Sequence, residues 1–146
     1  MKCVIQRVKE AKVVVESKVV SSINKGILVL LAIEKGDTKI LLDKLADKLV
    51  NLRIFNDQKN KMNLSIQEIN GEFLVVSQFT LAGSLKKGRR PSFEKAESPA
   101  KAKMLYEYFC NHLSKFNLPV KTGIFGALME VHLVNDGPVT FIIEKE

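Results

Sequence analysis

The feature that most restricts the fold of this chain is an almost wholly apolar run at residues 26–33, Gly-Ile-Leu-Val-Leu-Leu-Ala-Ile. A strand with one face in water alternates apolar and polar residues, and this run does not alternate. It therefore predicts a central strand that is covered on both faces. The run is also far shorter than the roughly 20 apolar residues that a membrane-spanning helix needs.

Shorter stretches rich in Val and Ile predict further strands before and after this run. Their bounds are 3–8, 12–16, 18–23, 73–79, 120–125, 129–134 and 139–143. Two helices are predicted by apolar residues at three- and four-residue spacing. The first is capped by Asp37 and runs to about Asn51. The second begins at Ser98-Pro99, a capping residue followed by proline at the first helical position, and Pro119 stops it.

This order of elements, ββββαβαβββ, predicts an α/β protein with a mixed sheet. Because two helices can cover only one face of such a sheet, a second strand layer must cover the other. A length of 146 residues suits one domain. We therefore expect a single compact three-layer α/β/β domain over residues 1–146, with two main helices.

The charge balance favours a polyanionic partner. The formal net charge is +7, and Lys and Arg release counterions when they contact phosphates. The densest cluster contains Lys86, Lys87, Arg89 and Arg90, in a loop just after an apolar strand. A solvated basic loop is the alternative interpretation.

Cysteine content and the start of the chain bear on location. Cys3 and Cys110 have no cysteine or histidine at metal-ligand spacing, so both thiols are interpreted as core residues and no metal or cofactor is expected. Charge appears at Lys2, too early for the apolar region of a signal peptide. A cytoplasmic protein without a membrane segment is the expectation.

Two uncharged segments interrupt the strands, Ser77-Gln78-Phe79-Thr80-Leu81 and Asn135-Asp136-Gly137-Pro138-Val139-Thr140. Small polar groups and a Gly-Pro step are typical of places where backbone meets a ligand. Only about 5–6% of X–Pro bonds are cis, so the residues alone favour a trans proline in a bulge. A Ser or Thr nucleophile needs an activating group, and no Ser-His-Asp arrangement, phosphate loop or dinucleotide glycine motif accompanies these segments.

Seven motifs, in order along the chain, carry a family resemblance. They are Ile5-Gln6-Arg7-Val8, Arg53-Ile54-Phe55, Lys61-Met62-Asn63-Leu64, Ser77-Gln78-Phe79-Thr80-Leu81, Arg89/Arg90-Pro91-Ser92-Phe93, Thr122-Gly123-Ile124-Phe125-Gly126-Ala127 and Asn135-Asp136-Gly137-Pro138-Val139-Thr140-Phe141. In these motifs the chain resembles the bacterial and eukaryotic D-aminoacyl-tRNA deacylases. The resemblance spans nearly the whole chain.

The resemblance implies an activity and an assembly. Members hydrolyse the ester that joins a D-amino acid to the 3′ end of tRNA, and they also remove glycine mischarged on tRNA(Ala). The implied fold is an α/β/β homodimer. In it the Gly-Pro bond is cis, and the dipeptide crosses the interface into the site of the partner.

The resemblance also implies roles for residues on the substrate side. Gly137 and Pro138 would form a backbone filter whose carbonyls leave no room for an L side chain. Arg7 would brace that backbone, and its alternative is a surface ion pair. Met129 would be a pocket wall, and its alternative is a core strand residue.

On the ester side the resemblance implies four residues, Ser77, Gln78, Phe79 and Thr80. Backbone N–H groups around Phe79 and Thr80 would hold the ester oxygen as it becomes an oxyanion. Thr80 is either a nucleophile or a group that positions water. We favour water, assisted by the ribose 2′-hydroxyl, because the sequence supplies no base. The side chains of Phe79 and Phe125 are interpreted as packing.

The basic residues Lys86, Lys87, Arg89 and Arg90 would contact tRNA phosphates, which position a substrate without reading its sequence. Two further hypotheses are a non-catalytic RNA-binding dimer and a purely structural dimer. The composition, with two Tyr and no Trp, makes platforms for base stacking scarce. His112 and His132 are interpreted as bystanders.

Overall fold

The computed structural model describes residues 1–145, in which strands and helices follow one another in mixed order. The strands are β1 (Lys2–Val15), β2 (Lys18–Ile23), β3 (Gly26–Ala32), β4 (Phe55–Asn56), β5 (Met62–Leu64), β6 (Glu72–Ser77), β7 (Val120–Thr122) and β8 (Glu130–Glu144). The helices are α1 (Lys39–Asn51) and α2 (Pro99–Ser114).

Strand β3 is the centre of the sheet, as its apolar sequence predicts. It pairs with β1 in antiparallel and with β6 in parallel orientation. Ile27 and Val29 face the helices, whereas Leu28 belongs to a separate cluster on the opposite face. All three side chains are fully buried. The prediction of a strand covered on both faces is confirmed.

The second strand layer arises because β1 passes from one layer to the next. Residues 2–8 of β1 pair with β3, and residues 11–15 pair with β2. Strand β8 runs beside β1 through both parts. The second layer lies close to β7 across the core, where the Ser21 hydroxyl donates to the Thr122 carbonyl oxygen at 2.8 Å.

The result is a nearly closed mixed sheet with helices outside it, which confirms the predicted three-layer α/β/β class. Parallel pairs join β3, β6 and β7, and the other pairs are antiparallel. Two details of the prediction are wrong. The predicted strands 3–8 and 12–16 are one strand, and so are 129–134 and 139–143. In each case the strand continues through unpaired, bulged residues, and its pairing resumes on the other side.

The two helices pack side by side against one face of the sheet. Leu45 and Leu49 of α1 and Phe109 and Leu113 of α2 bury their side chains in the same cluster. Helix α2 begins at Pro99 as predicted. Helix α1 is capped by Thr38, whose hydroxyl accepts from the Leu41 N–H at 3.3 Å.

Asp37 is therefore not the cap of α1, and that prediction is wrong. Its carboxylate instead accepts from the α-amino group of Met1 and from the backbone N–H of Glu34, both at 2.6 Å. Asp37 is buried, and Lys145 Nζ also lies 3.5 Å from it. These three donors occupy the carboxylate, so it is unavailable to the helix.

Candidate active site

A cleft of about 460 Å³ lies where β6 ends. Strand β6 stops at Ser77, two residues before the predicted bound, and a 3-10 turn follows at Phe79–Ala82. Ser77, Gln78, Phe79 and Met129 all line the cleft, with apolar walls from the start of α2 and from residues 125–131. Met129 lines the cleft and also packs against a core cluster, so its role as a pocket wall stays a prediction.

The main chain at the end of β6 is fixed from both sides. The Gln78 N–H donates to the Leu31 carbonyl oxygen at 2.9 Å, which joins this segment to the end of β3. The N–H groups of Phe79 and Thr80 open the 3-10 turn, where carbonyls of the turn itself cannot reach them. These two N–H groups therefore have no partner within the turn itself.

Thr80 lies at the rim and is exposed. Its hydroxyl contacts the side-chain amide of Gln78. Within residues 1–145, no imidazole or carboxylate forms a hydrogen bond with the hydroxyl of Ser77 or Thr80. The structure therefore brings no activating base to either hydroxyl.

The aromatic residues of the cleft differ in burial. Phe125 is partly buried and lies 5.8 Å from the Tyr106 ring, which agrees with the predicted packing role. The Phe79 ring is 57% exposed and lies 5.1 Å from the Phe93 ring. The Phe79 side chain therefore packs on one face against Phe93 and is otherwise exposed, and its packing role stays a prediction.

Gly137 and Pro138 lie on a bulge of β8. Between two paired positions, the single residue Arg7 of β1 faces four residues of β8, 136–139. The Gly137–Pro138 bond is cis, as the resemblance implies, so the trans alternative is wrong. Gly137 has φ +151°, and a Cβ there would lie 2.5 Å from Val139 Cγ2.

The bulge is exposed and lies apart from the cleft of its own chain. Gly137 and Pro138 are both exposed, and neither belongs to the cleft lining. The structure therefore brings Ser77, Gln78 and Phe79 together with Met129, and it places Thr80 and the predicted filter outside the cleft lining.

Arg7 supports the bulge from the core. Its side chain is buried, at 5% exposure, and its Nε–H donates to the Asp136 carbonyl oxygen at 2.8 Å. Its Nη1 donates to the Ile54 carbonyl oxygen at 2.8 Å and to Asn56 Oδ1 at 3.0 Å. The alternative of a surface ion pair is therefore wrong, although the Asp136 carboxylate lies 3.8 Å away. The braced carbonyl is that of Asp136, one residue before Gly137.

Asn135 closes the base of the bulge, a role that the sequence reasoning missed. Its Oδ1 accepts from the Val139 N–H at 2.6 Å, and its Nδ2 donates to Thr140 Oγ1 at 3.1 Å. Gln6 Nε2 also donates to Thr140 Oγ1, at 3.3 Å. Asn side chains often bond nearby backbone in turns, and this one directly precedes Asp-Gly-Pro, so a signal was available.

The basic cluster forms the tip of a loop that lies beside the cleft. Ser84 and Ser92 pair through two backbone hydrogen bonds of 2.8 and 3.0 Å, which close the loop. Phe93 follows directly and contacts Phe79. Lys86, Lys87, Arg89 and Arg90 are all exposed. In residues 1–145 none of the four takes part in a salt bridge.

Glu97 lines the cleft and pairs with Lys101 Nζ at 3.0 Å, whereas both histidines and both cysteines lie outside the cleft lining. His112 Nδ1 lies 3.4 Å from Asp43, and His132 Nε2 lies 3.4 Å from Glu130. Cys3 and Cys110 are buried and unpaired, as predicted, and burial raises the pKa of each thiol to about 12.

The fold defines a class, that of small mixed α/β domains with two helices packed outside a nearly closed sheet. Residues 4–144 match the profile described as D-Tyr-tRNA(Tyr) deacylase. The chain belongs to this family, whose members are hydrolases acting on ester bonds. The family resemblance drawn from the sequence motifs is thereby confirmed.

Individual relatives agree over the full length. A D-aminoacyl-tRNA deacylase of Geobacter sp. (strain M21) is 59% identical over 99% of this chain and 97% of its own. One of Geotalea uraniireducens (strain Rf4) is 59% identical over 99% and 93%. A solved structure of a c-Myc DNA Unwinding Element Binding Protein is 41% identical, with a TM-score of 0.94 over 100% of this chain and 99% of its own. In the described part of the present chain, neither helix has the length and apolar content that a bilayer crossing requires.

Proposed function

We propose that this protein hydrolyses the ester that joins a D-amino acid to the 3′ end of tRNA. The observation that carries the proposal is the presence of a cleft lined by Ser77, Gln78 and Phe79 together with an exposed, braced backbone at Gly137–Pro138. The names of the close relatives support the same substrate. A non-catalytic RNA-binding dimer is the alternative, and it would bind the substrate without cleaving it.

The chirality filter in this proposal is the backbone of Gly137 and Pro138, acting across a homodimer. Their exposure and their absence from the cleft of the same subunit fit insertion into the cleft of a partner. Neighbouring side chains on β8 support an interface, because Phe141 and Ile142 are 41% and 67% exposed. Fixed main chain would exclude an L side chain by sterics, whereas glycine has no side chain to exclude. We therefore include glycyl-tRNA(Ala) among the substrates.

The chemical step in this proposal is attack of water on the ester carbonyl carbon. The N–H groups of Phe79 and Thr80 would stabilise the oxyanion that forms. The ribose 3′-oxygen then leaves with the electrons of the broken bond and takes a proton. The ribose 2′-hydroxyl would assist the attacking water, because within residues 1–145 no imidazole or carboxylate forms a hydrogen bond with the hydroxyl of Ser77 or Thr80.

Substrate binding outside the cleft is assigned to Lys86, Lys87, Arg89 and Arg90. Their exposure beside the cleft suits phosphates of the tRNA acceptor end. Contacts of this kind serve many tRNAs, as an enzyme of broad specificity requires. A tRNA substrate and two unpaired thiols both support a cytoplasmic location.

The deciding experiment compares D-tyrosyl-tRNA and L-tyrosyl-tRNA under single-turnover conditions. We expect rapid loss of the D ester, and loss of the L ester at the rate seen without protein. Equal rates for both esters would contradict the filter, and no loss of either would contradict the enzyme. Sedimentation of the same sample tests the homodimer, because a monomer that retains full D specificity is incompatible with a filter from a partner.

A further inference from the structure

The Arg7 guanidinium is held by Asn56 of β4 and by Ile54 just before that strand, as well as by the bulge. Its Nη1 is shared between the Ile54 carbonyl oxygen at 2.8 Å and Asn56 Oδ1 at 3.0 Å, while its Nε–H donates to the Asp136 carbonyl oxygen. Because a guanidinium is planar and rigid, two acceptors that hold Nη1 also fix the plane in which the Nε–H lies. These two acceptors therefore aim the Nε–H at Asp136.

Strand β4 is a firm support for these acceptors. Phe55 lies between Ile54 and Asn56 and is fully buried, so its ring anchors the strand in the core. Phe55 pairs with Leu64 of β5, and Asn56 pairs with Met62. The Asn56 side chain is on the exposed side of this support. Asn56 is exposed, so core packing does not explain why its side-chain amide accepts from the buried Arg7 guanidinium.

We propose that Asn56 is a positioning residue for the Gly137–Pro138 backbone, acting through Arg7 and the Asp136 carbonyl. The inference rests on the proposed function, because it assigns that backbone to the discrimination between D and L esters. Without Asn56 Oδ1, Nη1 keeps only the Ile54 oxygen and the guanidinium plane is free to turn about that contact. The bulge then samples more orientations, and an L side chain is excluded less strictly.

The test uses three variants of the full chain. Asn56→Ala removes the acceptor, and Asn56→Asp retains an oxygen at the same place. Asn63→Ala is the matched control, because Asn63 lies on the partner strand β5 and accepts from Arg53 instead of Arg7. Exchange of the Arg7 Nε–H proton with water is followed by ¹⁵N NMR, with the signal assigned by its loss in Arg7→Lys. The ratio of D- to L-tyrosyl-tRNA cleavage rates is measured on the same samples.

In Asn56→Ala we expect exchange of the Arg7 Nε–H to accelerate about tenfold and the D/L ratio to fall about tenfold, as loss of one hydrogen bond to a charged group predicts. Asn56→Asp and Asn63→Ala should resemble the unaltered protein in both measurements. Unchanged exchange in Asn56→Ala would overturn the proposal, and so would faster exchange with an unchanged ratio. If the unaltered protein itself shows no preference for the D ester, the proposed function fails, and the exchange rate alone then decides whether Asn56 holds Arg7.

Discussion

The Nε–H of Arg7 donates to the carbonyl oxygen of Asp136 at 2.8 Å, and this bond joins the buried strand β1 to the exposed bulge of β8. The donor is a buried cation and the acceptor is main chain. Hydrogen bonds to charged groups contribute roughly 1.5–3 kcal/mol, more than neutral ones. The contact therefore limits the motion of the backbone that precedes Gly137.

Arg7→Lys should lower the D/L ratio of ester cleavage by about tenfold or more, since an ammonium cannot serve acceptors on β4 and β8 with the geometry of a guanidinium. Parallel single-turnover assays with both esters measure the ratio. Arg53→Lys is the matched control, because Arg53 bonds to Asn63 on the same hairpin. If the D/L ratio falls equally in both variants, the cause is a general loosening of the hairpin formed by β4 and β5.

Gly137→Ala should disrupt the bulge. Alanine disfavours φ +151°, and its Cβ would lie 2.5 Å from Val139 Cγ2. We expect D-ester cleavage to fall at least tenfold, with a stability loss of about 1–3 kcal/mol. Urea unfolding separates the two effects. Gly36→Ala is the control, since Gly36 also has positive φ, at +87°, but its nearest contact is 3.6 Å away. Full activity in Gly137→Ala would remove this backbone from the mechanism.

Thr80→Ala should retain most single-turnover cleavage of the D ester, because the proposed oxyanion donors are backbone N–H groups and no base activates the hydroxyl. A decrease of no more than about threefold is expected, of the order of one neutral hydrogen bond. Circular dichroism confirms folding. If cleavage stops while folding and tRNA binding persist, the hydroxyl takes part in the chemistry and the water mechanism is wrong.

Reversing the charge of Lys86 and Lys87 to Glu should weaken tRNA binding and reduce the slope of log K against log salt by about 2. Filter binding at several salt concentrations measures both. The control reverses Lys44 and Lys48, which are exposed on α1, and so changes the net charge equally. If the slope of log K against log salt is identical in the two double variants, the basic loop contributes only to the overall electrostatic field of the protein.

The thiols of Cys3 and Cys110 should be inert in the native protein at pH 8.5. Burial raises the pKa of each from 9.0 to about 12, so the reactive thiolate is scarce. Intact mass after iodoacetamide should show no adduct until denaturant is added, and two adducts afterwards. The same shifts predict that stability is fully present below pH 9 and declines toward pH 12, because the unfolded thiols release protons first. Rapid labelling of the folded chain would contradict the burial of both residues.

Much of the fold follows from local pattern. Residues 26–33 do not alternate between apolar and polar side chains, so this strand requires cover on both faces. The apolar stripes of the two helices cover one of them. The strand bounds near the bulge were less predictable. Local propensity predicts that a strand ends at such an interruption, whereas β1 and β8 stay paired on both sides of it. The cap of α1 was misassigned for a similar reason. Asp37 and Thr38 are both good caps, and only the distant Met1 amine decides which one the helix uses.

The candidate site was also predictable only in part from the sequence. Ser77, Gln78 and Phe79 were identified from an ordered motif and Met129 from the family resemblance, and all four meet in one cleft. Asn56 and Asn135 were missed, since each acts through a hydrogen bond to a residue whose position depends on the folded chain. The exposure of Phe79 was also missed, because apolarity predicts burial only when a partner surface is available.

The sequence by itself determined the family, the three-layer fold class and the residues of the two uncharged segments, 77–81 and 135–140. Residue type, spacing and order along the chain carry that information. The tertiary structure alone decided that Arg7 is buried beneath the bulge, that its acceptors come from Ile54, β4 and β8, and that Gly137 and Pro138 lie outside their own cleft. Hydrogen-bond direction and burial depend on residues far apart in sequence, and only folding brings those residues within reach of one another.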